Sequence, residues 1–432
     1  MALEIKRGED SHLGEEENSK NSRLFFFKEF FDRLGYGFGS QQFLNIILYQ
    51  MSTSLFLVGA INGLRVFLST FISLALSSYS ISRNAARKLM SASGILFGFC
   101  FLFMAIAFFL SSIVLFVFSL LLGSVGIVAY GNLYQELLRD ILRAEKRGRL
   151  FGMIAYCGIL ITVFSFLLGG LIIDIFPASG TDMSINLLGA ELSVKIFGYL
   201  VVFELAAIFF ILSGYIFSFV KSMEKDARIT VPLRLNVWME KIAKNRLLLF
   251  LIVSSLLLSV AQILANAYYG IFIYQQYSYT GFGFFIVAAI FSTALLTSMI
   301  GPLISKMNSR LYGKIPMIVF GTLLMAITPL TYYYNPTFMP IAMATMLGMI
   351  GSVIVGVTDG LLLADFLRED EIKEYFRASS TVISAACVVL VPAGALFTQV
   401  YGMPALFLAL GIIIASTTLL YLAILAGRKG KI

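Results

Sequence analysis

Charge is scarce in this sequence. Only 13% of its 432 residues are Asp, Glu, Lys or Arg and 59% are apolar, against about 25% and about 45–50% in an ordinary soluble domain. A water-soluble globule has no interior large enough for that much apolar surface, so a soluble main body is excluded. Histidine is almost missing: the single copy, His12, lies in a polar leader, which removes histidine ligands and histidine bases from the apolar bulk. The three cysteines, Cys100, Cys157 and Cys387, all fall inside apolar runs with no Cys-x-x-Cys spacing, so neither a disulfide framework nor a zinc site is expected. No phosphate-binding Gly-x-x-x-x-Gly-Lys-Ser/Thr loop occurs, which argues against nucleotide-driven pumping by this chain. No cofactor is implied.

What the sequence does have is apolar runs of spanning length. A membrane-crossing helix needs about 20 mostly apolar residues. Runs of that kind cover 24–50, 55–78, 89–110, 113–138, 150–174 and 196–220, and then 247–274, 282–304, 315–334, 337–363, 377–400 and 403–426. Of the 32 lysines and arginines, only Lys195 falls on the outer side of this map, while Arg33 and Arg65 lie within spans. All others, Lys28 at the first junction included, collect on one side. Cytoplasmic loops carry the Lys/Arg excess, so both termini are expected in the cytoplasm. The formal charge of +8 is thereby a topology signal and not a nucleic-acid footprint.

The expected organisation is a disordered cytoplasmic tail over 1–23, a six-helix bundle over 24–220, a connecting loop over 221–246, a second six-helix bundle over 247–426 and a short tail over 427–432. The two bundles read as a repeat. Ser82-Arg83 and Gly94 recur as Ser309-Arg310 and Gly321, and Tyr49-Gln50 recurs as Tyr274-Gln275. Asp140, Leu142-Arg143, Phe151 and Gly169 reappear as Asp365, Leu367-Arg368, Phe376 and Gly394. Shared order at a nearly constant offset is what duplication of a six-helix unit predicts.

The layout resembles the major facilitator superfamily. The likeness covers about residues 24 to 426 and rests on the six-plus-six spans, the long central loop, the basic second-to-third connection and Arg147-Gly148-Arg149-Leu150-Phe151-Gly152 opening span five. It implies an all-α membrane protein with twelve transmembrane helices in two six-helix repeats, working as a transporter and not as an enzyme. Two departures stand out. Ser82-Arg83-Asn84-Ala85-Ala86-Arg87-Lys88 lacks the Asp and Gly of the family's basic loop motif, and Ser165-Phe166 replaces the Gly-Pro pair of its antiporter motif, while Gly152 and Gly169-Gly170 remain.

Charges inside hydrocarbon are expensive, about 2.5–3.5 kcal/mol each on insertion scales, so those that persist are functional candidates. Asp32 is expected to carry the coupling proton, with Tyr36 further along its face lining a cavity. Arg65, about ten residues into span two, is expected to pair with Asp32. Asn132 and Glu136 share a face of span four at i, i+4, Asn132 as a ligand contact and Glu136 in coupling. Gln262, Asn266 and Tyr269 form a stripe on span seven whose amides and phenol can orient a ligand. Asp359, with Ser352 and Gly356 on its face, is in span ten, a helix that the family resemblance implies lines the cavity. Glu204 is in span six, which the resemblance implies is peripheral, so it reads as a structural hydrogen-bonding group.

Together these features predict alternating access to a midplane site, with proton-coupled export of a lipophilic or cationic small molecule as the leading activity. Uptake of a polar metabolite and a non-transporting receptor or assembly factor are the alternatives. The expected partners are a small-molecule substrate, protons and the lipid of a plasma (inner) membrane, with the chain acting as a monomer.

Overall fold

A computed structural model of the chain describes residues 2–78, 81–141, 144–176, 180–187, 190–220, 228–229, 240, 245–300, 303–304, 313–365 and 367–429. Within these, the side chains of 2–18, 76–83, 128–151, 153, 182–194, 228–229, 246–247, 369–370, 373, 377 and 423–429 are outside the description. Among the described residues eight helices are long and apolar enough to cross a membrane, and Ile113–Ile127 and Gly283–Ser298 are shorter apolar helices. Helix is what such sequences must form in lipid, where every backbone N–H and C=O has to be satisfied within the segment.

The elements run α1 (Ala2–Phe38), α2 (Gln41–Ser52), α3 (Leu55–Ser78), β1 (Ile81–Ser82), α4 (Arg83–Phe109), α5 (Ile113–Ile141) and α6 (Ala144–Ile175). After them come β2 (Thr181–Leu187), β3 (Ala190–Ile196), α7 (Gly198–Ser218), β4 (Arg228–Ile229), α8 (Arg246–Tyr277) and α9 (Gly283–Ser298). The chain closes with α10 (Lys314–Tyr334), α11 (Phe338–Leu363) and α12 (Glu369–Lys429).

Several of these differ from expectation. The leader, read as disordered, continues α1 back to Ala2; it holds no proline and is rich in the straight-chain residues that helices accept. The first span is two helices, because the chain breaks at Gly39 and Ser40 before restarting at Gln41. The last two spans run together as α12, interrupted at Gly402 with φ 85 and ψ 166. Only glycine holds that left-handed φ without strain, and Pro404 follows at once. Between α6 and α7 the chain forms an antiparallel ribbon, with Asp182 opposite Lys195 and Ile185 opposite Leu192. A second, two-residue ribbon pairs Ile81 with Ile229 and Ser82 with Arg228.

The chain divides into two compact units, Met1–Ser40 with Ile72–Pro232, and Gln41–Phe71 with Leu233–Ile432. Residues 41–71, which the linear layout assigns to the N-terminal bundle, therefore pack with the C-terminal one. In the first unit α1 lies against α6 and α7, and α4 against α5 and α7. The α4–α7 crossing is close because both helices present glycine: a Cβ on Gly94 would stand 3.2 Å from the Gly214 Cα, the small-residue packing on which membrane helices rely. Gly35, Gly37 and Gly39 of α1 likewise meet Phe210, Ser165 and Phe101. Ser165, one of the two residues that replace the antiporter-motif pair, is thus a packing residue whose hydroxyl donates to the Ile161 carbonyl at 2.9 Å.

In the second unit α8 packs against α2, α9 and α12, α10 against α11 and α12, and α9 against α11. Its apolar core gathers Leu248, Leu251, Ile252, Ile315, Ile318, Leu362 and Tyr421 from α8, α10, α11 and α12.

Candidate functional site

The second unit holds two cavities that share a wall. The first, about 300 Å³, is lined by Gln42, Gln262, Asn266, Tyr269, Phe291, Met325, Thr328, Thr345, Met349 and Ser352 among others. The second, about 430 Å³, is lined by Val66, Ser255, Ser259, Gln262, Asn266, Asp359, Tyr375, Ser379, Ser380 and Ser384 among others. Gln262 and Asn266 belong to both. Four of the expected substrate residues, Gln262, Asn266, Tyr269 and Asp359, are therefore brought together.

The i, i+4, i+7 spacing on α8 explains why three of them share one face. Gln262 is held by a 3.1 Å hydrogen bond from its Nε2 to Ser352 Oγ on α11. Asn266 is fixed through its backbone, whose carbonyl accepts from Asn45 Nδ2 at 3.2 Å, leaving its side-chain amide to the cavities. The Tyr269 ring lies 4.2 Å from that of Tyr332, tilted by 31°, and 5.3 Å from Phe407, so it is clamped. Thr328 and Thr345 donate to the Ala344 and Ile341 carbonyls at 2.8 and 2.7 Å. The residues facing the first cavity are amides, hydroxyls, aromatics and aliphatics, none of them charged.

Behind this wall runs a ladder of amides. Gln41 donates to Asn62 Oδ1 at 2.8 Å, Asn62 donates to Asn45 Oδ1 at 3.0 Å, and Asn45 reaches the Asn266 carbonyl. Asn45 and Asn62 are buried, and a fully connected buried network of this kind holds one arrangement of its helices. Gln42, also buried, sits on the first cavity, and its Oε1 accepts no hydrogen bond among the described residues. None of these amides carries a spacing signal in the sequence. Three of them, Gln41, Gln42 and Asn45, crowd into a single turn of an otherwise apolar run, and that clustering was the available clue.

The first unit holds a buried charge cluster on α1. Lys28 Nζ lies 2.6 Å from Glu29 Oε1 and 2.7 Å from Asp32 Oδ2, with side-chain exposures of 0%, 7% and 6%. Arg33 Nε stands 3.8 Å from Glu29 Oε2, and Ser213 of α7 hydrogen-bonds the Asp32 carboxylate. Lys28, counted with the cytoplasmic charges, is buried, and Asp32 pairs with this lysine from the preceding turn of its own helix; Arg65, the partner expected from the sequence, lies on α3 in the other unit. The Tyr36 ring lies 5.0 Å from Phe210 and 6.4 Å from Phe97, within an aromatic cluster. Arg65 is half-buried on α3, and Glu204 is exposed on α7. Asn132 and Glu136 fall on α5 with side chains outside the described residues.

Comparison with known proteins bears on this arrangement. The family model of the Major Facilitator Superfamily matches residues 30–376. The chain belongs to the Major Facilitator Superfamily. Membership places this facilitator among integral membrane transporters and not among enzymes. Its fold is similar to that of the nucleoside transporter NupG, with a TM-score of 0.67, 12% identity, and 93% of this chain and 98% of that one covered. It is similar also to a D-xylose-proton symporter, with a TM-score of 0.62, 14% identity, and 93% and 96% covered. A bacterial homologue of the iron transporter ferroportin in its inward-facing state gives a TM-score of 0.67, 15% identity, and 92% and 98% covered. At these identities the likeness is one of fold. No curated protein matches the facilitator.

Proposed function

We propose that this facilitator is a secondary active transporter that moves a small polar molecule by alternating access, binding it in the cavity walled by Gln262, Asn266 and Tyr269. Twelve transmembrane helices in two six-helix repeats, with both termini in the cytoplasm and the monomer as the working unit, form the scaffold of this reading. The observation that carries it is the uncharged lining of the first cavity. Amide and hydroxyl groups from α2, α8, α10 and α11 converge there around a clamped tyrosine ring, the pattern of few placed polar groups on an apolar wall that ligand pockets use. Such a lining offers a lipophilic cation no counter-charge and leaves its own buried amides unpaired, which is costly. It suits a hydrogen-bonding cargo, and that supports the polar metabolite over the lipophilic one.

Ion-gradient coupling supplies the energy in this reading. Asp32, paired with Lys28, is assigned a structural role. The reading is tested by thermal unfolding of the purified facilitator with a panel of neutral polar, lipophilic cationic and anionic compounds. Saturable stabilisation by a neutral polar compound is expected. Stabilisation by lipophilic cations alone contradicts it.

A further inference from the structure

The two cavities differ in one respect that matters chemically. The first presents only neutral groups, whereas the second carries the carboxylate of Asp359. The Asp359 Oδ1 is buried and takes no hydrogen bond among the described residues. Around the same space stand the hydroxyls of Ser255, Ser259, Ser379 and Ser380 and the amide of Gln262. Ser379 is itself 6% exposed. Among the described residues, the titratable neighbours its charge reaches are the phenols of Tyr375 and Tyr421 on α12, and neither offers a positive charge.

An anionic oxygen in such a place needs a positive partner, because an isolated buried carboxylate is among the most expensive groups a protein can carry. Hard oxygen donors, one anionic and several neutral, are the set that an alkali ion or an ammonium group accepts, the first by ligation and the second by donating hydrogen bonds.

We infer that the Asp359 chamber is a monovalent-cation site, adjoining the cargo cavity across Gln262 and Asn266 and distinct from it. The inference rests on the transporter reading, in which a cation beside the cargo links ion to substrate through the shared wall. Two sources have this chemistry, a free alkali ion and the ammonium group of a cargo molecule reaching through the wall.

The test is thermal unfolding of the purified facilitator in N-methylglucamine buffer, titrated separately with sodium chloride and ethylammonium chloride at constant ionic strength. Wild type is expected to gain a saturable rise in midpoint with one of the two. Asp359→Asn is expected to weaken that response about tenfold or more, as loss of a charge-assisted contact does. Ser259→Ala, which keeps the carboxylate, is expected to weaken it less, and it supplies the readout if Asp359→Asn fails to fold. A sodium response identifies a free ion, and an ethylammonium response identifies a cargo ammonium. No response to either, a response unchanged in Asp359→Asn, or a shift that follows pH alone overturns the inference. Flux in liposomes is measured alongside: flux without a cation response removes the cation site and leaves transport standing, and the reverse result removes transport.

Discussion

Gln50 donates from Nε2 to the phenol oxygen of Tyr274 at 2.8 Å, and the reciprocal bond exists: Gln275 Nε2 donates to the Tyr49 hydroxyl at 2.9 Å. The two Tyr-Gln pairs are the ones that recur in the sequence at an offset of about half the chain. Reciprocal contact, in which i meets j and the equivalent of j meets the equivalent of i, is the signature of two-fold symmetry. Here it ties α2 to α8 at their C-terminal ends. Each bond has a modest value, about 0.5–1.5 kcal/mol, yet both partners are long and the clasp fixes the pair in one register. A double-mutant cycle on Gln50→Ala and Tyr274→Phe, read by unfolding in detergent, is expected to give a coupling of about that size. The pair Gln50→Ala and Gln275→Ala, which share no bond, is expected to be nearly additive.

Lys28 makes a stronger prediction. It is the cation shared by two buried carboxylates, so removing it leaves an excess of buried negative charge, and breaking a buried pair from one side costs about 3–5 kcal/mol. Lys28→Met is expected to lower folded yield and midpoint sharply. Adding Asp32→Asn to Lys28→Met is expected to recover part of the loss, because one of the two buried negative charges disappears. Size-exclusion yield and thermal unfolding of the three proteins check this.

Asp32→Asn alone separates structure from coupling. Lys28 retains Glu29 at 2.6 Å, so the variant is expected to fold with reduced stability and still to show gradient-driven flux. Loss of driven flux with exchange intact would return the coupling role to Asp32.

At the α4–α7 crossing no space exists for a larger residue at Gly94. Gly94→Leu is expected to destabilise by about 1–3 kcal/mol or more through overpacking, whereas Gly152→Ala, whose Cβ meets nothing within 4 Å, is expected to be close to silent. Unfolding midpoints of the two variants decide it.

Much of this was legible in the residues. Apolar run length marks where the spanning helices fall, since lipid leaves backbone groups no partner outside the helix. The Gln262, Asn266 and Tyr269 stripe was readable because helical periodicity alone puts those positions on one face, and Asp359 because a lone acid in an apolar run needs a reason. Lys28 was not readable in the same way. Counting basic residues along the chain assigns each to a side by position, and it cannot see that two acids on the next turn draw the ammonium inward. The packing of Tyr36 against Phe97 and Phe210 was hidden for a related reason, since a face that begins with an acid does not say which rings lie across from it. The unit boundary at Ser40 was hidden because packing partners, not sequence order, decide where 41–71 belongs. The amide ladder has no periodicity to find.

The most direct test of the account is counterflow in proteoliposomes, with the compound that most stabilises the purified facilitator loaded inside and its labelled form supplied outside. Wild type is predicted to accumulate label saturably, and Asn266→Ala and Gln262→Ala to lose most of that flux while keeping wild-type size-exclusion profiles. Saturable flux unchanged in both variants, or no flux with any stabilising compound, contradicts a cargo site built on Gln262, Asn266 and Tyr269.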